Sequence, residues 1–213
     1  MKAGFLFDLD GVLIDSERRY TRIWADIEHD FPTGVDDFPR VIKGMTLNDI
    51  LDRYFPSQEV RKAVERRCLE AERELRFGYM PGACELLEAL HDRGVPVALV
   101  TSSDGQKMRV LRAALPGFVE SFTAVVDGDM VSRGKPDPEP YLTGARLIGV
   151  PIERCVVVED AVNGLKAGLA SGAYVVGMTD TLGRAAVEPY AHEVHDSLEE
   201  LDADRLLAVL EAR

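Results

Sequence analysis

The stretch Phe5-Leu6-Phe7-Asp8-Leu9-Asp10-Gly11 decides the predicted fold of this chain. Its first residues form a short apolar run, typical of a buried strand, and Gly11 closes it. Two carboxylates at the end of a buried strand are unfavourable unless they bind a cation or take part in chemistry. In a parallel α/β sheet, ligands bind at the carboxyl edge of the strands. Asp8 and Asp10 therefore predict a functional site at that edge.

The composition indicates a globular protein and disfavours several classes of partner. The chain has 213 residues, of which 46% are hydrophobic, so a packed core is expected and disorder is not. The formal net charge is −12, which disfavours binding to nucleic acid or to an anionic membrane. An anionic substrate such as a phosphate would need a cation and local Lys or Arg residues to overcome the long-range repulsion.

The cysteines and the N-terminal sequence predict a cytoplasmic location. Cys68, Cys84 and Cys155 are widely spaced and fit no metal-binding pattern, so reduced thiols are expected. Asp8 interrupts the N-terminal apolar run, and no run approaches the roughly 18 apolar residues of a membrane span. We therefore expect a soluble cytoplasmic protein, a monomer or at most a weak homodimer, with no nucleic-acid or membrane partner.

Short apolar runs alternate with helical patterns over most of the chain. The runs that follow the first are spaced like strands and cover residues 95–101, 123–126, 155–159 and 173–177. Helical patterns cover residues 82–93, 107–115, 138–147 and 161–170. Asp137 is predicted to cap the third of these helices, with Pro138 at its first position. The alternation predicts an α/β fold, a parallel sheet with right-handed crossovers and helices on both faces.

Residues 16–80 break this alternation and predict a separate helical unit. Large apolar residues recur there at helical spacing, as in the expected core stripe Tyr20, Ile23, Trp24 and Ile27. The segment 59–76 is dense in Glu and Arg, which is typical of a solvated helix face. A helical insertion after the first strand would lie above the strand ends, so we expect it to act as a lid.

Oxygen-bearing side chains and one lysine follow the predicted strands. Asp8 and Asp10 end the first strand, Thr101-Ser102-Ser103 the second and Glu159-Asp160 the fourth, while Lys135 stands in a proline-rich turn. Clustered carboxylates need a cation to stay ionised, and oxygen ligands favour a hard ion such as Mg²⁺. Thr101 and the amides after it suit phosphate oxygens, and Lys135 adds a fixed charge. The set predicts phosphoryl transfer, in which one carboxylate attacks phosphorus and the other handles protons.

Each of these features alone has an ordinary structural explanation. A lone Asp-x-Asp is a weak signal, and Asp127-Gly128-Asp129 is expected to be only a turn. Thr101-Ser102-Ser103 or Glu159-Asp160 alone could cap a helix, and Lys135 alone could lie on the surface. For every feature except the pair Asp8 and Asp10, it is the combination and order of the features that favours a functional site. Close packing of a helix on the sheet is the expected role of Gly164, Gly168 and Gly172.

The same residues resemble the motifs of the haloacid dehalogenase superfamily. Residues 7–17 look like its first motif, and Thr101, Lys135 and Glu159-Asp160 match its second, third and fourth motifs in order. The resemblance covers nearly the whole chain and is greatest to the branch of β-phosphoglucomutases and sugar-phosphate phosphatases. It implies a Rossmannoid α/β core and a small α-helical cap domain inserted after the first strand. The core would comprise residues 1–15 and 81–213, and the cap residues 16–80.

The resemblance also implies roles for individual residues. Asp8 would be the nucleophile that becomes phosphorylated, and Asp10 would be the general acid/base. Thr101 and the Ser102 amide would hold the phosphoryl group. Lys135 would orient Asp8 and neutralise charge.

The implied metal ligands for Mg²⁺ are Asp8, Asp10, Glu159 and Asp160. Asp10 would bind through its backbone carbonyl and Asp160 directly, with Glu159 in contact with the ion or acting through water. Asp10 also disfavours a haloalkanoate dehalogenase, which in this family needs no metal and lacks the second acid.

Phosphatases and phosphomutases of this branch share a core and differ in what accepts the phosphoryl group. Leu47 stands where the mutase pattern has an Arg for the distal phosphate, and Tyr20 where it has a His. We therefore favour Mg²⁺-dependent hydrolysis of a small phosphate monoester, a sugar or polyol phosphate, through a phosphoaspartate on Asp8. The alternatives are a β-phosphoglucomutase-type mutase and a non-catalytic binding module that retains the fold. Substrate contacts from the cap are expected from Lys43, Asn48, Arg19 and Arg22, although a solvent-facing helix side is the favoured explanation for at least one of the two arginines.

Overall fold

A computed structural model describes residues 2–73 and 77–212 of the chain. The described residues contain a 6-stranded sheet with the strand order β3-β2-β1-β4-β5-β6, and every pair of neighbouring strands is parallel. The strands are β1 (Gly4–Phe7), β2 (Val97–Val100), β3 (Ala124–Val126), β4 (Cys155–Glu159), β5 (Tyr174–Met178) and β6 (Glu193–His195). The strand order reverses between β1 and β4, and ligands bind at such a reversal in doubly wound sheets.

Helices connect the strands and fill the insertion after β1. The insertion contains α1 (Glu17–Asp30), α2 (Phe38–Val41), α3 (Leu47–Tyr54) and α4 (Gln58–Arg73). The remaining helices are α5 (Ala83–Asp92), α6 (Gly105–Ala114), α7 (Glu139–Leu147), α8 (Val162–Ser171), α9 (Arg184–Val187) and α10 (Ala203–Ala212). Among the described residues, no helix is long and apolar enough to cross a membrane.

Alternate residues of the central strands face opposite sides of the sheet, as the pleat requires. Phe5 and Phe7 of β1 belong to a core cluster with residues of α5, α6 and α10. Leu6 belongs to the opposite cluster, with residues of α7 and α8. Both faces of β1 are therefore buried, which explains its continuous apolar sequence.

The helices inserted after β1 have a hydrophobic cluster of their own. Phe38 lies at its centre and makes edge-to-face contacts with Trp24, Tyr54 and Phe55, with ring centroids 5.2–5.9 Å apart. Trp24 and Ile27 of the predicted core stripe are buried in this cluster, and Tyr20 and Ile23 pack against it. The domain limits proposed for this unit, residues 16 and 80, stay a prediction, and residues 74–76 within it lie outside the described residues.

Strand and helix positions agree with the sequence pattern more closely than their ends do. The run 95–101 gives a strand only from Val97, after Pro96, which has no N–H to donate. The run 173–177 is shifted by one residue, to Tyr174–Met178. β6 was not predicted, because it is a short and partly charged edge strand without an apolar run.

The structure confirms some of the predicted helix caps and turns and contradicts others. The Asp137 carboxylate accepts from the N–H of Glu139 at 2.9 Å, as expected of a cap, although the helix itself begins at Glu139. Asp127-Gly128-Asp129 forms the expected turn, with Asp127 accepting from the N–H of Asp129. α6 is capped by Asp104 and not by Thr101-Ser102-Ser103.

The three α8 glycines do not share one role. A Cβ at Gly168 would lie 3.0 Å from both Val157 and Val175, so close packing on the sheet is confirmed there. The same expectation is wrong for Gly172, whose φ of +91° ends α8 in the left-handed conformation and whose Cβ would meet no atom within 4 Å.

Candidate active site

The carboxyl ends of β1, β2 and β4 meet at one edge of the sheet. Asp8 directly follows β1, and its N–H donates to Val158 O of β4 at 3.0 Å. Thr101 follows β2 and is 3% exposed, and Glu159 ends β4. Because these three strands are neighbours, residues far apart in sequence converge on the crevice where the strand order reverses.

Lys135 is the centre of the hydrogen-bond network at this edge. Its fully buried ammonium donates to Asp8 Oδ1 at 2.6 Å, to Glu159 Oε1 at 2.7 Å and to the Val100 carbonyl at 3.0 Å. Burial lowers the pKa of Lys135, but the carboxylates of Asp8 and Glu159 outweigh it and raise that pKa above its ordinary value. The three contacts engage all three ammonium protons and favour the charged form of Lys135.

Both carboxylate oxygens of Glu159 accept two hydrogen bonds each. Its Oε1 also accepts from the Tyr141 hydroxyl at 2.8 Å, and its Oε2 accepts from the backbone N–H groups of Asp160 and Ala161 at 2.9 and 3.0 Å. Gly164 allows this arrangement, since a Cβ there would lie only 1.7 Å from Glu159 Oε1. Glu159 thus orients Lys135 through a rigid set of contacts.

The carboxylate of Asp160 differs from that of Glu159 in its hydrogen bonding. Both its carboxylate oxygens are buried, and neither has a hydrogen-bond partner of good geometry among the described residues. Burial, with the nearby carboxylates of Glu159 and Asp8, raises the pKa of Asp160 well above its ordinary value. Burial likewise raises the pKa of Asp8 to about 7, because the opposing effect of Lys135 is smaller.

These carboxylates could hold a metal ion. Asp8, Glu159 and Asp160 each offer one oxygen, and the three oxygens lie within 4.8 Å of one another. Buried oxygens without donors and an oxygen-only ligand set fit a hard divalent cation. Since Glu159 already accepts four hydrogen bonds, the open coordination positions belong to Asp160 and Asp8.

Asp10 lies beside this cluster and accepts from several donors. Lys107 Nζ lies 2.5 Å from its Oδ2, the Ser103 hydroxyl lies 3.1 Å from the same oxygen, and the Ser16 hydroxyl donates to Oδ1. Burial raises the pKa of Asp10, but Lys107 and the hydroxyl donors outweigh it and hold that pKa below its usual value. The Lys107 ammonium also lies 4.0 Å from the centroid of the Tyr20 ring.

A cavity of about 120 Å³ lies between the strand ends and the inserted helices. Such a volume is comparable with cavities that bind one small organic molecule. Predicted site residues that line it from the strand side are Asp8, Asp10, Thr101, Ser102 and Asp160. Side chains that line it from the inserted helices and loops include Tyr20, Thr21, Trp24, Lys43 and Leu47.

The four residues of the cap that were predicted to contact substrate do not all lie at the cavity. Lys43 lines the cavity, and its Nζ lies 3.2 Å from the Thr21 hydroxyl. Asn48 is exposed and lines a neighbouring groove. Arg19 and Arg22 are exposed on α1 and lie outside the residues that line this cavity. The structure therefore brings one of these four residues to the site.

Lys107 and Thr181 are among the residues at the site that were not predicted from the sequence. Lys107 belongs to a predicted helix, and its position one residue before the apolar Met108 gave no sign that its charged group is buried. Thr181, in the turn after β5, has a buried hydroxyl without a hydrogen-bond partner among the described residues. A Cβ at Gly11 would lie 2.0 Å from Asp160 Oδ2 and 2.6 Å from Thr181 Oγ1, so these two groups are adjacent.

A parallel sheet with polar residues at the carboxyl edge of its strands is typical of α/β enzymes. A model of the haloacid dehalogenase-like hydrolase family matches residues 2–172, and the chain belongs to that family. Hexitol phosphatase A from Escherichia coli is 36% identical over 179 residues, which cover 81% of each chain. β-Phosphoglucomutase from Bacillus subtilis is 27% identical over 192 residues, covering 84% of this chain and 83% of that protein.

A solved structure supports the same assignment. A hydrolase from Pseudomonas syringae superposes with a TM-score of 0.81 at 26% identity, covering 92% of this chain and 94% of the other. The Rossmannoid fold with helices inserted after the first strand is thereby confirmed. The chain is a hydrolase of the phosphatase type, to which its relative hexitol phosphatase A belongs.

Proposed function

We propose that this protein is a Mg²⁺-dependent phosphatase that hydrolyses a small sugar or polyol phosphate through a phosphoaspartate on Asp8. The observation that carries the proposal is the 2.6 Å contact between Asp8 Oδ1 and the buried Lys135 ammonium, beside the open carboxylate of Asp160. A carboxylate held by a permanent cation next to a metal site suits attack on phosphorus. The similarity to a hexitol phosphatase supports a polyol phosphate as substrate.

The first step would be attack by a carboxylate oxygen of Asp8 on phosphorus. A bond forms between that oxygen and phosphorus, the bond from phosphorus to the leaving oxygen breaks, and the leaving alkoxide takes a proton from Asp10. Thr101 and the Ser102 amide would hold the transferring phosphoryl group. Lys135 neutralises charge as it develops on Asp8 and the phosphoryl oxygens.

The second step would be hydrolysis of the phosphoaspartate. Water attacks phosphorus, gives a proton to the Asp10 carboxylate, and releases Asp8 with inorganic phosphate. Asp10 is held in the structure by Lys107 and hydroxyl donors, which favours the carboxylate form that accepts this proton. The cap would cover the cavity and exclude bulk water from the intermediate.

The metal would be held by Asp8, Asp160 and the backbone carbonyl of Asp10. When bound, Mg²⁺ neutralises the phosphoryl oxygens and favours the ionised form of Asp8. The four donors on Glu159 favour an indirect part for this residue, through water or through its hold on Lys135.

A phosphomutase is the second candidate, favoured by the similarity to β-phosphoglucomutase. A mutase must hold the second phosphate of a bisphosphate intermediate, which needs a cation at the far side of the cavity. Leu47 lines that cavity as an apolar side chain, and Tyr20 faces Lys107. These contacts support transfer to water over transfer to a second sugar phosphate. A cytoplasmic location and a monomeric state remain predictions.

The test is a phosphate-release screen with Mg²⁺ across sugar, polyol, nucleotide and glycolate phosphates, with isomerisation of β-glucose 1-phosphate assayed in parallel. We expect release from sugar or polyol phosphates that is abolished in Asp8→Asn. The exposed Asp92→Asn variant, which makes the same chemical change on α5, serves as the matched control. Isomerisation without net release would establish the mutase, and no turnover on any substrate would favour a binding module.

A further inference from the structure

We propose that Lys107 is a positioning residue of this active site, which fixes the Asp10 carboxylate and connects it to the inserted helices through Tyr20. The inference rests on the proposed function, because it assigns Lys107 a part in the same reaction. It concerns a residue of α6 that lies outside the strand-end motifs.

The contacts of Lys107 are made inside the protein. The residue is 4% exposed, and its Nζ lies 2.5 Å from Asp10 Oδ2 and 4.0 Å from the Tyr20 ring centroid. The first contact is a charge-assisted hydrogen bond and the second a cation–π interaction. Together they place the ammonium between the loop after β1 and helix α1.

The position of Lys107 in α6 is unfavourable for a cation unless something compensates it. Lys107 is the third residue of the helix, where the helix dipole repels positive charge. A lysine normally extends its ammonium to water, as the neighbouring Arg109 does with its exposed side chain. The Asp10 carboxylate, whose Oδ2 lies 2.5 Å from the buried ammonium, supplies this compensation.

The backbone at Lys107 is fixed as well. The Asp104 side chain caps α6 by accepting from the N–H of Lys107 at 2.8 Å. This bond anchors the first turn of α6, so the lysine chain starts from a defined point. A fixed donor on a rigid helix is what orientation of a neighbouring carboxylate requires.

Lys107 also joins the core to the first inserted helix. Ser16, which donates to Asp10 Oδ1, immediately precedes α1, and Tyr20 lies one turn further along the same helix. A displacement of α1 would thus remove both the Ser16 donor and the ring that faces the ammonium. The orientation of Asp10 is in this way tied to closure of the inserted helices over the cavity.

The test uses the full-length enzyme and two leaving groups. A polyol phosphate needs a proton on its leaving oxygen, whereas p-nitrophenyl phosphate does not, and both form the same phosphoenzyme. In Lys107→Met, we expect the steady-state kcat for the polyol phosphate to fall roughly 100-fold with little change in KM, as for a misplaced general acid/base. With p-nitrophenyl phosphate, we expect a burst of about one product per active site, followed by slow turnover as the phosphoenzyme accumulates.

Controls separate positioning from folding. Lys166→Met is the matched variant, because Lys166 is an exposed lysine whose ammonium also faces a tyrosine ring, 5.0 Å from the Tyr190 centroid. It should keep wild-type kinetics. Tyr20→Leu should lower kcat more than Tyr20→Phe, which retains the ring, and this pair gives a second test if Lys107→Met does not fold.

Different kinetic results would contradict the role of Lys107, the link to α1 and the proposed function. Wild-type turnover in Lys107→Met, or a loss in which the burst falls in proportion to kcat, overturns the positioning role. Equal effects of the two Tyr20 variants overturn the link to α1. A wild-type enzyme that releases no phosphate from any substrate refutes the proposed function itself, whereas an active wild type with an unaffected Lys107→Met refutes this inference alone.

Discussion

The ionisation of Asp8 connects metal binding with pH at the scale of single residues. Burial raises the pKa of this carboxyl from 3.8 to about 7. An acid whose pKa is higher in the folded state binds more protons there, so its contribution to stability is lost as pH rises from the lower value to the higher one. A divalent cation beside Asp8 and Asp160 offsets this loss, because it replaces the protons.

Metal affinity should therefore increase with pH below neutrality. We expect the association constant for Mg²⁺ to rise by up to about tenfold per pH unit for each proton released, and to level off above the pKa of the ligands. Calorimetric titration at several pH values, in buffers of different ionisation enthalpy, measures both affinity and proton release. Asp8→Asn should show a smaller pH dependence. An affinity that does not vary with pH would contradict the assignment of these ligands.

The hydroxyl of Thr181 lies beside the proposed metal ligand Asp160. Its buried hydroxyl adjoins Asp160 across Gly11, where it could orient the carboxylate or hold a metal-bound water. Thr181→Val should weaken divalent-ion binding by roughly 10- to 100-fold, and Thr181→Ser should largely restore it. Titration with Mn²⁺ followed by electron paramagnetic resonance reads the affinity directly. Thr179→Val, whose hydroxyl donates to Asp196 instead, is the control and should bind normally.

Helix α8 shows how one element serves both packing and the site. Gly168 lets the helix approach Val157 and Val175, and Gly164 lets its first turn approach the Glu159 carboxylate. The two glycines lie on the same helix but meet different surroundings, one apolar and one charged. Substitution at the two positions should therefore have different consequences.

Gly164→Ala should lower activity by displacing Glu159 and loosening its hold on Lys135. We expect kcat per folded enzyme to fall by an order of magnitude or more, with a stability loss of about 1–3 kcal/mol from overpacking. Gly168→Ala should give a stability loss of about the same size with near-normal kcat, because only valines must move. Urea denaturation and steady-state kinetics measure the two quantities. Equal kcat values in the two variants would remove Glu159 as a support of Lys135.

Hydrogen bonds join the core to the loop at residues 41–44, part of which lines the cavity. The Asn163 amide donates to the Lys43 carbonyl at 2.7 Å, and the Ser102 hydroxyl donates to the Gly44 carbonyl at 2.7 Å. Ser102 lies in the segment that follows β2 and Asn163 in the first turn of α8, and both acceptors are backbone atoms of the inserted unit. These two hydrogen bonds therefore attach the loop that carries Lys43 to the core.

Asn163→Ala should favour an open arrangement of the inserted helices. We expect KM for the phosphate ester to rise several-fold, with a smaller change in kcat, because substrate binding must then restore closure. Hydrogen exchange of residues 38–46 should become faster in the variant. Gln58→Ala, an exposed amide on α4, should leave both measurements unchanged. Unchanged exchange in Asn163→Ala would show that this bond does not hold the loop.

Sequence patterns predicted this fold to the extent that they are local. Continuous apolar runs located β1 to β5, because strands buried on both faces are apolar throughout, and period-3.6 spacing located the principal helices, because burial of one helix face imposes that period. The edge strand β6 and the ends of β2 escaped prediction, because exposure and proline chemistry weaken that pattern there. Residues at the strand ends were predicted as a site, because parallel strands bring their carboxyl ends to one edge.

The sequence alone predicts that Asp8, Thr101 and Asp160 face one crevice, because each directly follows a strand of the same parallel sheet, and that Asp10 lies beside them, two residues after Asp8. Three-dimensional packing brings Lys107 to Asp10 and Thr181 to Asp160, and it leaves Asn48 outside the cavity. These relations join residues that are up to 97 positions apart and depend on how helices pack above the sheet. No periodic pattern records such distances, because packing selects them from side-chain shape and charge after the elements have formed.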